Sequence, residues 1–346
     1  MFKRGFVFIA LTAFVLASTA FVVDVQSVQA DDKVYKWKCQ GHWPMASTSF
    51  AGSGKAVVEL VKKRSKGRLD IELFAAGSLV PPKEIFNAVK RGMVPIGVTS
   101  SAYPRSQVPL FNVTSGLPLN FKHTWEAGYF HQIMGFEQMM VDACAKHGIF
   151  CSSDRIYSTE LALKKPVSKF ADFKGLKLRS SGITQVYLSS IGAAASYIPG
   201  SEIYAALASG VVEGAHWGAV QGNNSLKFYD VCKYHLLTPF NYAAGDVWLV
   251  NQKALAKLPA DLQKILLSTL KEHFWRRTNE YLYKEATALA DVQKKHGVKV
   301  TEIPAGDYNK MLKEAVKVWD DVAKKNPDCA KAVQMLKDFN KSLGRL

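Results

Sequence analysis

The sequence predicts an α/β protein with mostly parallel sheets, long enough for two lobes. Strand and helix signals alternate along most of the chain, which is the pattern of sheets covered by helices. One helical pattern, from Pro259 to Lys295, is too long for a single small lobe: at 1.5 Å per residue it measures roughly 55 Å. Composition agrees, because 48% of the 346 residues are hydrophobic and 21% charged, which excludes a disordered chain and a small disulfide scaffold.

Val34 to Gln40 reads as the first strand, ended by Gly41-His42-Trp43-Pro44. Ser53 to Ser65 reads as a helix with Val57, Leu60 and Val61 on its inner face. Gly67 to Phe74 is a strand, and Pro82 to Arg91 a helix stopped by Gly92. Pro95 to Ser100 is the next strand, and its end, running on to Tyr103, falls where open α/β sheets bind ligands. Beyond a proline-broken stretch, Lys122 to His147 reads as one helix and Gly148 to Thr159 as one strand. Asp172 to Arg179 ends as a strand, Ile183 to Ile191 is a helix, and Ser201 is placed to cap a helix over Ser201 to Ser209. The long helix carries its apolar set at Leu262, Ile265, Leu266, Thr269 and Leu270, and a basic amphipathic tail runs from Asp307 to Leu346.

Residues 1–30 read as a cleaved export signal: Lys3 and Arg4, an apolar run from Gly5 to Val23, then small residues at Ser27-Val28-Gln29-Ala30. The run is also about as long as a membrane-spanning helix, so an uncleaved anchor is the competing reading. Export places the protein in the periplasm and bears on its charge. The excess of 45 Lys and Arg over 29 Asp and Glu gives +16, a balance that suits nucleic acid, an anionic surface or an anionic ligand. An exported chain rarely meets a chromosome, and the basic pairs are scattered on helical patterns, so no nucleic-acid partner is expected. The five cysteines allow at most two disulfides, and Cys144 and Cys151 are close enough in sequence to pair.

Gly52-Ser53-Gly54-Lys55 resembles part of a phosphate loop, but Ser49 stands at the required upstream glycine and Ala56 follows the lysine. No G-x-G-x-x-G, G-x-S-x-G or H-E-x-x-H is present. The chain therefore reads as a binder and not an enzyme. A secreted enzyme acting on a small carboxylate is the alternative, since a nucleophile and base can meet in space without a linear motif.

Three stretches in order, KKPVSKFADFKGLKLRSSG from Lys164, IPGSEIYAALASGVVEGAHW from Ile198 and VCKYHLLTPFNYAAGDVWLVNQKALAKLPADLQKIL from Val231, carry a family resemblance. They resemble the DctP-type extracytoplasmic solute-binding proteins of tripartite ATP-independent periplasmic (TRAP) transporters. The resemblance implies a two-lobed periplasmic binding protein fold with mixed sheets, a lobe-spanning helix and a C-terminal helical tail. It implies capture of a small organic monocarboxylate, a 2-oxo or 2-hydroxy acid or an aromatic acid, for delivery to a membrane permease. The expected division is residues 31–156 with 243–282 in one lobe and 157–242 with 283–346 in the other. The tail either packs on the hinge or forms a homodimer through its helices.

By the same resemblance Arg179 is the carboxylate anchor, a role that the planar fork of a guanidinium suits. Trp217 matches a ligand-facing position that in the 2-oxo acid branch follows a glutamate that helps hold a metal ion; here His216 precedes it. His suits transition metals, whereas Na⁺ or Ca²⁺ needs oxygen ligands, so no metal or other cofactor is expected, although Asp246 is placed to substitute for one acidic ligand. Ser158-Thr159-Glu160 stands where a second polar contact is common in the family. With no arginine there, a two-arginine clamp is not expected, and Glu160 would disfavour a second carboxylate. His42, Trp43, Ser100, Ser101 and Tyr103 stand at strand ends of the other lobe, and Trp43, Tyr103 and Trp217 together would make the pocket aromatic.

Overall fold

The computed structural model describes residues 33–346, so the export signal lies outside the described residues. Two sheets organise the chain. The first contains β1 (Tyr35–Gly41), β2 (Leu69–Phe74), β3 (Ile96–Ser100), β4 (Ile149–Ser153) and β10 (Asp246–Asn251), in the order β2-β1-β3-β10-β4. The second contains β5 (Tyr157–Leu163), β6 (Lys177–Arg179), β7 (Ala194–Ser196), β8 (Gly214–His216), β9 (Tyr234–Ala243) and β11 (Lys299–Thr301), in the order β11-β9-β5-β8-β6-β7.

Both sheets are mixed rather than mostly parallel. β10 runs antiparallel to β3 and β4, and β5 runs antiparallel to β8 and β9, while the remaining pairings are parallel. The antiparallel strands are those that carry the chain between sheets. It leaves the first sheet after Ser153, enters the second at Tyr157, returns after Ala243 and re-enters the first at Asp246. The single strand expected over Gly148 to Thr159 is thus two strands in two sheets, and the three-residue crossover Asp154-Arg155-Ile156 separates them. β10 (DVWLVN) is buried at every residue, as a central strand covered on both faces must be.

The helix Ala260–His296 runs unbroken for 37 residues and serves both sheets. Leu262, Leu266 and Leu270 join the core on the first sheet with Val57, Val61 and Trp248, whereas Val292 joins Ala162, Leu207 and Tyr229 on the second. The helix expected over Lys122 to His147 is broken into Thr124–Gln132 and Phe136–Ala145 by Gly135, which sits at φ 90°, a conformation that costs glycine little. Ser201 does not cap a helix: a tight turn at Gly200–Glu202 intervenes and the α-helix begins at Ile203. The turn tucks under Trp217, whose ring would lie 2.4 Å from a Cβ at Gly200.

The phosphate-loop fragment has a packing explanation. It lies in a wide helical turn over Phe50–Lys55, where the Arg277 guanidinium would be 2.6 Å from a Cβ on Gly52 and the Leu73 side chain 2.7 Å from one on Gly54. The tail forms two helices, Ala305–Ala323 and Pro327–Ser342, that pack on their own chain. Trp319 Nε1 donates to the Pro118 carbonyl at 2.8 Å and Asn340 Nδ2 to that of Asn120 at 3.0 Å. All five cysteines are buried and free, with Cys144 and Cys151 side by side as thiols. No helix among the described residues is long and apolar enough to cross a membrane.

Candidate ligand-binding site

The crossover places the ends of strands from both sheets around one cavity of about 60 Å³. A water needs about 10–15 Å³ on this measure, so there is room for roughly four to six non-hydrogen atoms. Arg179 ends β6, between β7 and β8, and its side chain is 2% exposed. Nε donates to the Ile198 carbonyl at 2.9 Å and Nη1 to the His216 carbonyl, while the guanidinium lies 5.2 Å from the Trp217 ring centre and 6.0 Å from that of Tyr197. Those bonds fix the plane of the fork and leave Nη2 with no hydrogen bond among the described residues. No carboxylate among them pairs with Arg179, and burial pulls its pKa below the ordinary arginine value. A buried cation without a counter-ion is costly unless an anion arrives to pair with it.

Arg155 enters the same cavity from the crossover, its guanidinium 4.5 Å from the Tyr157 ring centre and 4.9 Å from that of the adjoining Tyr281. Its charge is already matched. Nη1 pairs with Asp154 and, at 3.0 Å, with Asp246 Oδ2, and Nη2 donates to Ser49 Oγ at 2.9 Å. Burial alone would lower the Arg155 pKa, but Asp246 and Asp154 outweigh it and raise it. Asp154 also accepts from Ser53 (2.8 Å), Trp248 Nε1 (2.8 Å) and His273 Nε2 (3.0 Å). Burial pushes its pKa up, and the pull of His273 and Arg155 with the Ser53 hydrogen bond overcomes that, holding the carboxyl well below the usual carboxylate range.

Two imidazoles complete the polar wall. His42 Nε2 faces Asp246 Oδ1 at 2.8 Å and its buried Nδ1 has no partner. His216 Nδ1 meets Ser180 Oγ at 3.1 Å and its buried Nε2 has no partner. Burial first, then the neighbouring Arg179 charge, pulls the His216 pKa down to about 3, so this ring is neutral in ordinary buffers.

Of the residues singled out from sequence, Arg179, Trp217, His216, Thr159, Trp43, His42, Ser100, Tyr103 and Asp246 line the cavity. Ser101, Ser158 and Glu160 do not. Ser101 is buried with its hydroxyl donating to the Gly245 carbonyl at 3.1 Å. Glu160 turns to His235 Nε2, 2.7 Å away, and accepts from Ser158 at 3.3 Å. The register of β5 on β9 shifts between Thr159 and Leu161, a bulge at Glu160, whose carboxylate is held by His235 and not at the cavity as its family position implied. Thr159 reaches the wall with its hydroxyl bonded to Asn241 Oδ1 at 2.8 Å.

Sequence reasoning misses Arg155, Tyr157 and Tyr281. A second arginine does reach the cavity, although it is not free to clamp a second carboxylate. The signal for it is the Asp154-Arg155 pair of charges inside a segment otherwise read as strand, which a buried strand does not tolerate without partners.

Residues 41–326 match the family profile of the bacterial extracellular solute-binding proteins, family 7. The chain belongs to this family. Among similar proteins is a monocarboxylate 2-oxoacid-binding periplasmic protein of Nostoc sp., 28% identical over 278 residues that cover 78% of this chain and 75% of that protein. Solved structures share the fold. A TRAP transporter solute-binding protein from Bordetella bronchiseptica, with calcium and picolinate, superposes with a TM-score of 0.82 at 23% identity, covering 90% of this chain and 93% of its own. One from Pseudoalteromonas atlantica, with sodium and pyruvate, gives 0.82 at 24% identity, covering 90% and 95%.

For a two-lobed family 7 protein, the structure is that of a shut cleft. A Cβ at Gly182, which opens the helix after β6, would lie 2.7 Å from the Ala102 side chain beyond β3. Tyr103 meets Tyr197 edge-on at 6.0 Å and the Lys83 ammonium sits 3.8 Å over the Tyr197 ring. A larger residue at Ala102 would wedge these surfaces apart without demanding an unusual backbone, unlike a change at Gly182, where φ is 63°. Overpacking of this kind costs about 1–3 kcal/mol, so Ala102→Leu should weaken ligand binding by roughly tenfold or more while the ligand-free melting temperature stays near that of the parent. Calorimetric titration beside a melting curve checks this, and unchanged affinity would show that the contact does not govern closure.

Proposed function

We propose that the chain is the solute-capturing component of a TRAP transporter. It works in the periplasm, shuts the halves built on its two sheets around a small monocarboxylate of the 2-oxo or 2-hydroxy acid class, and delivers it to the membrane permease. Arg179 carries this reading: a buried guanidinium on the cavity wall, oriented by two carbonyls, keeps Nη2 free of hydrogen bonds and has no carboxylate partner among the described residues. One uncompensated cation calls for one negative charge. Arg155 is already neutralised by Asp154 and Asp246, which argues against a dicarboxylate. The cavity of about 60 Å³ suits an acid of pyruvate's size and is tight for an aromatic one. The 2-oxoacid-binding relative from Nostoc sp. and the pyruvate-bound neighbour support the same class.

The ligand contacts made only in the shut state would draw an open–closed equilibrium toward closure. A melting-temperature screen of organic acids tests the reading. Pyruvate, lactate and their four-carbon homologues should stabilise the protein, by about 2.7 kcal/mol at a hundredfold excess over Kd, and succinate and benzoate should not. Stabilisation by no monocarboxylate would overturn it. Recovery of the acid unchanged after incubation separates capture from catalysis.

A further inference from the structure

The two solved neighbours described above hold their small acids together with sodium or calcium. The polar groups of this cavity do not suit such an ion. Na⁺ and Ca²⁺ require several oxygen ligands with negative charge nearby. Here the one carboxylate on the wall, Asp246, has Oδ1 engaged by His42 and Oδ2 by Arg155. The Arg179 guanidinium, which has no carboxylate partner among the described residues, lines the same small space and raises its potential against a cation. Among the described residues no cluster of three or more His, Cys, Asp or Glu is arranged to hold a metal.

What the wall offers beside Arg179 is an orphaned nitrogen. His216 Nε2 is buried on the cavity wall without a partner, and the Arg179 Nη1 bond to the carbonyl of the same residue fixes where that ring sits. The other ring nitrogen, Nδ1, is met by the Ser180 hydroxyl at 3.1 Å. When that hydroxyl donates, Nδ1 is the acceptor and Nε2 carries the proton, because the bond made by one imidazole nitrogen sets the state of the other. A ligand anion beside Arg179 favours the same tautomer, since a lone pair on Nε2 would repel its oxygens.

We propose that in this protein His216, with no bound cation, holds the 2-oxygen of the ligand. Its Nε2–H donates to the oxygen on the carbon next to the ligand carboxylate, so Arg179 and His216 together bind a 2-oxo or 2-hydroxy acid without a metal. This rests on the functional reading above and adds to it the atom that selects the 2-oxygen. Because the ring is neutral and stays so in mildly acidic buffer, the donor is present across the working range and its hydrogen bond is not lost to titration.

The test is a calorimetric titration of the protein with pyruvate and with propanoate, which lacks the 2-oxygen, in sodium-free buffer with and without a chelator. Pyruvate should bind equally well in both and better than propanoate in both. Roughly tenfold weaker pyruvate binding under chelation, restored by Ca²⁺ or Na⁺, would overturn the inference. His216→Phe should cost pyruvate about 2- to 10-fold in affinity, the usual range for a hydrogen bond between neutral groups, while propanoate binding holds. His216→Gln, which keeps a donor, should recover part of the loss. An equal loss for both acids would mean that His216 only supports the wall and would overturn the donor role. If His216→Phe does not fold, the unaltered protein decides alone: a preference for pyruvate over propanoate that survives chelation supports the inference, and one that vanishes sinks it. Should no monocarboxylate bind at all, the functional reading itself falls; should binding hold but need a cation, only this inference falls.

Discussion

Replacing Arg179 is expected to abolish ligand binding at almost no cost to the ligand-free fold. Truncating one partner of a buried, hydrogen-bonded charge pair costs about 2–5 kcal/mol in affinity, roughly 30- to several thousand-fold, and Arg179→Met should fall in that range. Arg179→Lys tests the geometry as well as the charge. An ammonium on a flexible stem cannot hold the Ile198 and His216 carbonyls and still present a planar pair of donors to the ligand, so the lysine variant should also lose most of the affinity. The ligand-free melting temperature should move little. The two carbonyl bonds are lost, but so is an uncompensated cation whose burial already opposes its charge. Calorimetric titration and a melting curve on the same variant separate the two effects. A large drop in stability with retained binding would make Arg179 a structural residue.

Asp154→Ala should show the opposite profile, with a large loss of stability. The carboxylate is fully buried and ties the crossover to Ser53, Trp248 Nε1, His273 and Arg155 at once. Breaking a buried pair by removing one partner costs about 3–5 kcal/mol, which for a chain of this size lowers the melting temperature by roughly 5–15 °C. The pH dependence has a definite sign. The folded-state pKa of Asp154 is depressed below the unfolded value of about 3.9, so its contribution is complete above that value and is lost as pH falls toward the depressed one. The parent should therefore lose this part of its stability only in strong acid. Asp154→Ala should have a flatter stability profile below about pH 4, and an unchanged profile would show that the carboxylate is not paired as described.

Much of the architecture is legible in the order of residues along the chain, because the signals involved are local. The long helix announces itself by its apolar period and is one unbroken element from Ala260 to His296. Arg179 is singled out by the family resemblance of the residues that precede it, and it sits at the end of a strand on the cavity wall. The errors also have local causes. Gly135 at positive φ ends a helix that periodicity alone would continue, and the turn under Trp217 displaces a serine cap. Glu160 is a different case: its place in the family pattern does not show that His235, on another strand, holds it off the cavity.

By itself, then, the sequence determined the strand and helix alternation, the long C-terminal-half helix and the absence of linear catalytic motifs, and its family resemblance singled out Arg179. Each of these is written in residues that lie within a few turns of one another. Which charges remain available in the cavity was decided only by tertiary structure. Asp154 meets Ser53 and His273 across 101 and 119 residues of chain, and Asp246 meets His42 across 204. Asp246 also reaches Arg155 and, with the adjacent Asp154, neutralises it, which leaves Arg179 as the unpaired cation, with His216 Nε2 buried nearby. A side chain's charge is set by composition, but whether that charge is free to bind a ligand depends on partners that folding brings from far along the chain.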